Sequence, residues 1–163
     1  MIRPAARLLA LISFALLLVS LLTLTGCESL VNRLFYDSPD ITSVTFNESN
    51  RWVDVTIEYT APTFEYAAIA AWYHKPGDPD GLNYNITFSD NECTTLPISF
   101  YAAEYDGPSG TLTSLPANAI VYFQIYVRTS APNSEGGTIL DVFDTTQIWR
   151  YQNGVAEVYE VIH

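Results

Sequence analysis

The feature that most constrains the fold is an alternation of apolar and polar side chains that begins near residue 40 and recurs towards the C-terminus. In one segment, Val53, Val55, Ile57 and Tyr59 alternate with Asp54, Thr56 and Glu58. Successive side chains of a β-strand point to opposite faces, so this pattern predicts a strand with one face in a core and the other in water. Trp52 falls on the wet face by the same count.

The same period predicts further strands over residues 41–46, 66–74, 83–88, 98–104, 120–128 and 138–146. Turn residues such as Gly77 and Gly107 separate several of them. In the segment 120–128, the core face is predicted to carry Val121, Phe123, Ile125 and Val127, and the wet face Tyr122, Gln124, Tyr126 and Arg128. The pattern does not decide whether Trp72 or Tyr73 points inward. Short strands at this spacing are typical of an all-β protein with a two-sheet β-sandwich.

A β-hairpin is predicted at the C-terminus, over residues 147–163. Asn153-Gly154 separates two alternating runs, and both residues tolerate the positive φ angles of a two-residue hairpin turn. Such a loop pairs Gln152 with Val155, which sets Arg150 opposite Glu157 and Trp149 opposite Val158. Because an isolated hairpin is marginal in water, this one is expected to add to the sandwich.

Two of these segments resemble strands of fibronectin type III domains. Val55 to Pro62, with Tyr59 before the proline, is similar to the second strand of that family, and Leu115-Pro116 followed by Tyr122 is similar to the introduction of the sixth. The resemblance covers residues 40–146 and implies a fibronectin-III-like or immunoglobulin-like sandwich. It implies an architecture and no particular ligand.

The N-terminus carries the parts of a secretory signal. Arg3 and Arg7 precede an apolar run of 17 residues, Leu8 to Leu24, and Gly26-Cys27 follows it. Leu24 to Cys27 resembles the lipobox of bacterial lipoproteins. The resemblance implies that residues 1–26 form a signal helix that is removed, and that Cys27 is acylated. An uncleaved membrane anchor and ordinary secretion are the alternatives, although the run is short for a membrane-spanning helix.

The lipoprotein resemblance also implies a location. Residues 27–39 would be a lipidated tether, interpreted as a spacer that ends at Pro39. The mature protein would then be held in the cell envelope by membrane lipid on Cys27. Glu28 follows the cysteine, and in Gram-negative lipoproteins a residue other than Asp at that position permits export to the outer membrane.

The charge limits the candidate binding partners, and the cysteine count limits how the fold can be stabilised. Of 7 basic residues, Arg3 and Arg7 leave with the signal, so 5 face 18 acidic residues in the mature chain. This excess of negative charge excludes nucleic acid, which needs a basic footprint. Once Cys27 carries lipid, Cys93 is the other cysteine of the chain, so the fold is predicted to hold without an intramolecular disulfide.

No catalytic motif stands out, and no cofactor or metal is predicted. An enzyme would need His74 in a cleft with an acid and a nucleophile, because the second histidine, His163, is at the C-terminus. Asp78 and Asp80, together with Asp90 and Glu92, offer oxygen ligands for Ca²⁺, although their spacing also fits ordinary turns.

The sequence therefore predicts a non-catalytic binding or structural module. A possible ligand surface consists of Trp52, Tyr122 and Tyr126, the aromatic residues that the alternation places on wet faces. One alternative is a carbohydrate-binding module that uses these aromatic side chains. Another is an accessory subunit of an outer-membrane or secretion assembly, with the free edge of the C-terminal hairpin as the docking strand.

Overall fold

A computed structural model describes residues 28–132 and 139–162. The predicted signal peptide, Cys27 and the start of the strand predicted at residue 138 lie outside this range. The described chain contains helix α1 (Glu28–Phe35) and strands β1 (Asp40–Asn47), β2 (Trp52–Glu58), β3 (Thr63–His74), β4 (Tyr84–Phe88), β5 (Glu92–Cys93), β6 (Ile98–Gly107), β7 (Gly110–Leu112), β8 (Ile120–Pro132), β9 (Ile139–Gln152) and β10 (Val155–Ile162). The all-β class is confirmed.

The strand alternation is confirmed on β2 and β8. Val53 and Val55 are buried while Asp54 and Thr56 are exposed, and Trp52 is exposed as predicted. On β8 the predicted core residues are all fully buried, whereas their neighbours on the other face are half-buried. β3 resolves the open question of orientation, because Tyr73 points into the core and Trp72 lies half-buried on the outer face.

All neighbouring strands pair antiparallel, in the order β1-β2-β6-β4-β3-β8-β9-β10. β5 pairs with β3, and β7 pairs with β6. β6 joins two groups of strands, because it pairs with β2 between Ile98 and Tyr101 and with β4 between Ala102 and Tyr105. Hydrogen bonding is therefore continuous where two separate sheets were predicted.

The sheet curves so far that it nearly closes on itself. Three side chains of β9 donate hydrogen bonds to β1 or to the residues that flank it. Thr145 Oγ1 donates to the Pro39 carbonyl, Gln147 Nε2 donates to Asp40 Oδ1 at 3.4 Å, and Tyr151 OH donates to Glu48 Oε1 at 2.7 Å. Burial and the hydrogen bond to Glu48 raise the pKa of Tyr151 to about 12. Side-chain contacts thus hold β1 against a strand with which it shares no backbone ladder.

Between the strands lies one main apolar core. The Phe46 ring on β1 contacts the rings of Phe123 on β8 and Tyr151 on β9, with centroids 5.4 and 5.3 Å apart. Two polar groups of core aromatic residues are hydrogen-bonded: Tyr73 OH donates to the Asp106 carbonyl, and Trp149 Nε1 donates to Gln147 Oε1 at 3.0 Å. The aromatic contacts join strands that are distant in the hydrogen-bonded order.

The predicted C-terminal hairpin forms with the predicted register. Gln152 pairs with Val155, Arg150 with Glu157 and Trp149 with Val158, and Arg150 forms an ion pair with Glu157. β9 pairs with β8 along almost its whole length, so the hairpin adds to the main sheet as expected. The boundary predicted between residues 146 and 147 falls inside β9, because the last predicted sandwich strand and the first hairpin strand are one continuous strand.

The turn of this hairpin yields a stability prediction. Asn153 and Gly154 have φ angles of 52° and 83°, and the space around Gly154 is open. Gly154→Ala should therefore lower the free energy of unfolding by about 1 kcal/mol through backbone strain alone, without a steric clash. Urea denaturation measures the effect, and a variant as stable as the wild type would show that the turn adopts another conformation.

Helix α1 differs from the predicted spacer. A segment this short does not persist as a helix on its own, and here it is held against the start of β9. Arg33 lies 3.8 Å from the buried carboxylate of Asp141, and the Tyr36 ring meets the Phe143 ring edge-on at 6.2 Å. Tyr36 and Tyr59 also pack on a small second core of Ala61, Ala131 and Phe143. Among the described residues, no helix has both the length and the apolar character that a membrane crossing requires.

Candidate ligand-binding site

The outward side of β3, β8, β9 and β10 carries two groups of aromatic side chains. We call this surface the aromatic face; its rings are Tyr66, Trp72, Tyr122, Tyr126 and Tyr159. The β3–β8 register sets Trp72 directly opposite Tyr122, and sets Ala68 opposite Tyr126. The small side chains of Ala68 and Ala70 on β3 separate the two aromatic groups.

The first group surrounds an arginine. The rings of Tyr66 and Tyr126 lie 5.6 Å apart, and the Arg128 guanidinium is 5.5 Å from each centroid. Asp144 on β9 accepts hydrogen bonds from Arg128 Nε at 2.9 Å and from its Nη2 at 3.2 Å. Burial and a hydrogen bond to Asp144 raise the pKa of Tyr126. Arg128 and Tyr126 thus both hydrogen-bond to Asp144, and this network forms the polar end of the aromatic face.

The charge network gives a testable pH dependence. Burial alone would raise the pKa of Asp144, but hydrogen bonds from Arg128 and Tyr126 and the Arg128 charge lower it. A lowered carboxyl pKa stabilises the fold above the unfolded value of about 3.9, and this stabilisation is lost as pH falls through the folded value. The melting temperature of Asp144→Asn should therefore decline less than that of the wild type between about pH 5 and 2. Parallel thermal melts measure this, and equal acid slopes would contradict the assignment.

The second group forms the floor of an open groove. The Trp72 and Tyr122 rings stack at 5.8 Å with an angle of 15° between their planes, and Tyr159 meets Tyr122 edge-on at 5.2 Å. We call this depression of about 380 Å³ the distal groove; its lining consists of Trp72, His74, Asp80, Gly81, Asn83, Tyr122, Ile148, Tyr159 and Glu160. Arg150, paired with Glu157, lies 6.0 Å from the Tyr159 ring centroid.

A β-bulge shapes the lining of the distal groove. The β9–β10 register shifts between Val158 and Glu160, so Tyr159 is an extra residue on β10. Because a bulge breaks the strict alternation of faces, Tyr159 and Glu160 both reach the groove. The groove therefore combines an aromatic floor with the carboxylates of Asp80 and Glu160 and the amide of Asn83.

His74 lines the same groove, and its ring is held by a backbone carbonyl. Its Nδ1 lies 3.1 Å from the Leu82 carbonyl oxygen, so this nitrogen carries the proton and donates it. Asp80 is nearby, but the described lining contains no serine, threonine or cysteine.

The sequence-predicted surface residues are only partly brought together. Tyr122 and Tyr126 share the outer face of β8, and they belong to the distal groove and the arginine-centred group respectively. Trp52 lies on β2, four strands away along the sheet, where its ring contacts Tyr101 at 5.5 Å. Trp72 and Tyr159 were missed, because their positions opposite and beside Tyr122 depend on strand pairing and on the bulge.

Asp78, Asp90 and Cys93, which the sequence offers as metal ligands or as a free thiol, form hydrogen bonds with residues close to them in the chain. Asp78 accepts a hydrogen bond from Tyr84 OH at 3.1 Å, and Asp90 accepts one from the Glu92 amide at 3.0 Å, as turn-forming carboxylates do. Throughout residues 28–132 and 139–162, no group of three or more His, Cys, Asp or Glu side chains is arranged to hold a metal ion. The half-buried Cys93 thiol donates to the Thr95 carbonyl at 3.1 Å.

Neither a protein-family model, a curated protein nor a solved structure matches the chain.

Proposed function

We propose that the chain is a lipid-anchored protein of the cell envelope that binds carbohydrate on its aromatic face. The anchor would be acyl chains on Cys27, with residues 1–26 removed, and the outer membrane would be the destination in a Gram-negative cell. The basic start, the apolar run and Gly26-Cys27 support this part. Each buried CH₂ of an acyl chain contributes about 0.8 kcal/mol, so two or more chains anchor stably.

The architecture that we propose for the domain is a fibronectin-III-like or immunoglobulin-like sandwich. In this view β1, β2 and β6 form one layer, while β4, β3, β8 and β9 form the other, extended by β10. The contacts of Phe46 with Phe123 and Tyr151 support this arrangement, because they join strands of the two layers face to face. Such a sandwich provides a rigid support for a binding face.

The observation that carries the proposed ligand class is the aromatic floor of the distal groove. A stacked tryptophan and tyrosine offer a broad apolar surface to the C–H face of a sugar ring. Around them, Asp80, Asn83 and Glu160 offer acceptors and an amide donor for sugar hydroxyls. An open groove with an apolar floor and polar edges fits a section of a neutral or amino-bearing glycan chain, whereas its carboxylates disfavour an acidic one.

Two measurements test the proposal. The lipid anchor is tested by the mass of the N-terminal peptide from the native envelope, which should begin at Cys27 and carry acyl groups. Carbohydrate binding is tested by affinity electrophoresis of the folded domain through gels that contain neutral, amino-bearing or acidic polysaccharides. Retardation by a neutral or amino-bearing polymer is expected; equal mobility in every gel would contradict the ligand class.

A second candidate function is that of an accessory subunit that docks through β10. One observation favours it: β10 ends the sheet with a row of exposed apolar side chains, Val155, Val158, Val161 and Ile162. An exposed apolar edge strand is a template for pairing with another chain. Val158→Lys should abolish crosslinking to a defined partner in the native envelope, while unchanged crosslinking would eliminate this edge as the docking site.

A further inference from the structure

Helix α1 turns its apolar side away from the protein. Leu30, Leu34 and Phe35 are 53, 75 and 73% exposed. At about 100° per residue, these three and the half-buried Val31 share an arc of about 140° on the helix. The short helix thus presents an apolar strip that is exposed at Leu30, Leu34 and Phe35 and half-covered at Val31.

The opposite side of α1 is polar and makes the ion pair with the domain, although the Arg33 side chain is 67% exposed. Arg33 reaches the buried carboxylate of Asp141, Asn32 is half-buried, and Tyr36, directly after the helix, packs on Phe143. A helix on the surface of a globular protein normally buries its apolar stripe and exposes its polar one. In α1 the exposed side chains are the apolar ones, so the apolar strip suits contact with an apolar environment outside the protein.

The sequence next to the helix indicates what this apolar environment is. Cys27 immediately precedes Glu28, and the apolar run from Leu8 ends at Leu24. Whether the anchor is an acyl group on Cys27 or the intact run, it ends within a few residues of α1. We infer that Leu30, Leu34 and Phe35 lie in the interfacial region of the bilayer and dock the domain on the membrane. The inference rests on the proposed membrane anchoring.

Charge shows what kind of lipid contact this is. The chain beyond residue 26 is strongly acidic, and the basic residue of α1, Arg33, is directed at Asp141. Attraction to anionic headgroups therefore contributes little, and insertion of apolar side chains has to provide the contact. A bilayer of neutral phosphatidylcholine is accordingly sufficient.

Docking through α1 orients the distal groove. The helix packs near Ala131 at one end of β8, whereas Tyr122 of the groove lies nine residues away on the same strand. At about 3.3 Å per residue, this places the groove about 30 Å from the docked end. The domain would hold its groove away from the lipid surface and open to the surrounding medium.

Tryptophan quenching tests the contact on the full chain in phosphatidylcholine vesicles with brominated acyl chains. Leu34→Trp adds a tryptophan in the proposed contact. Leu82→Trp is the matched control, because Leu82 is also exposed and lies beside the distal groove. Wild-type emission from Trp52, Trp72 and Trp149 is the common background. The added emission of Leu34→Trp should be quenched at least twofold, and that of Leu82→Trp should be unchanged.

The outcomes separate this inference from the proposed anchor. Equal quenching of the two added tryptophans would overturn the docking of α1, whatever is attached to Cys27. The mass of the Cys27 peptide is read on the same sample, and a missing acyl group there would contradict the lipoprotein proposal. Quenching of Leu34→Trp that requires anionic lipid would overturn the apolar mode of contact.

Discussion

Replacing Phe123 by alanine should lower the free energy of unfolding by about 3–5 kcal/mol. The side chain is fully buried on β8 and meets Phe46 across the core. Its removal leaves a cavity between strands that are not hydrogen-bonded to each other, where backbone collapse cannot readily fill the space. Because domains of this size are stable by about 5–15 kcal/mol, urea denaturation should show a large fall in midpoint.

Tyr122→Ala is the matched control for this effect. Tyr122 is the preceding residue of β8 but points to the outer face, where its ring contacts Trp72 and Tyr159. Truncation there removes partly solvated contacts, so the loss should stay near 1 kcal/mol. Equal losses for the two variants would mean that the inner and outer faces of β8 are assigned incorrectly.

Replacing Trp72 by alanine should weaken glycan binding by about 30-fold, equivalent to about 2 kcal/mol. Trp72 has the largest ring system among the residues that line the distal groove, and its loss also removes the stacking partner of Tyr122. The dissociation constant from isothermal titration with the polysaccharide that retards the wild type measures the effect. The melting temperature of the same sample checks that the fold is intact.

Trp52→Ala provides the control for residue type, because Trp52 is an exposed tryptophan on a distant strand. Its affinity should match that of the wild type. A loss with Trp52→Ala, and none with Trp72→Ala, would instead support the surface predicted from the alternation alone and remove the distal groove as the ligand site.

Local sequence determines much of this fold. On β8 the branched and aromatic residues alternate strictly with polar or amphipathic ones, so the inward set from Val121 to Val127 could be predicted before any strand pairing was known. The hairpin register was predictable for a related reason, because a two-residue Asn-Gly loop fixes which residues face each other. In both cases the deciding information lies within a few residues.

What escaped prediction depends on contacts between distant segments. Trp72 joins the groove because β3 pairs with β8 in one register, and no local pattern specifies that register. Helix α1 is too short to form alone and is held by Asp141 and Phe143, far along the chain. The predicted boundary after residue 146 lies within β9, because alternation continues through this strand and only its pairing with β8 reveals one long strand.

The continuity of β9 also determines how the domain would carry a load. Its first residues hold α1, while Arg150 near its other end reaches the aromatic face. Antiparallel hydrogen bonds run perpendicular to their strands, and β9 makes them with β8 along nearly its full length. A pull directed along β9 would therefore act on this ladder in shear. Its hydrogen bonds would have to break together. The β8–β9 pair would therefore resist tension better than strands that are pulled apart one hydrogen bond at a time.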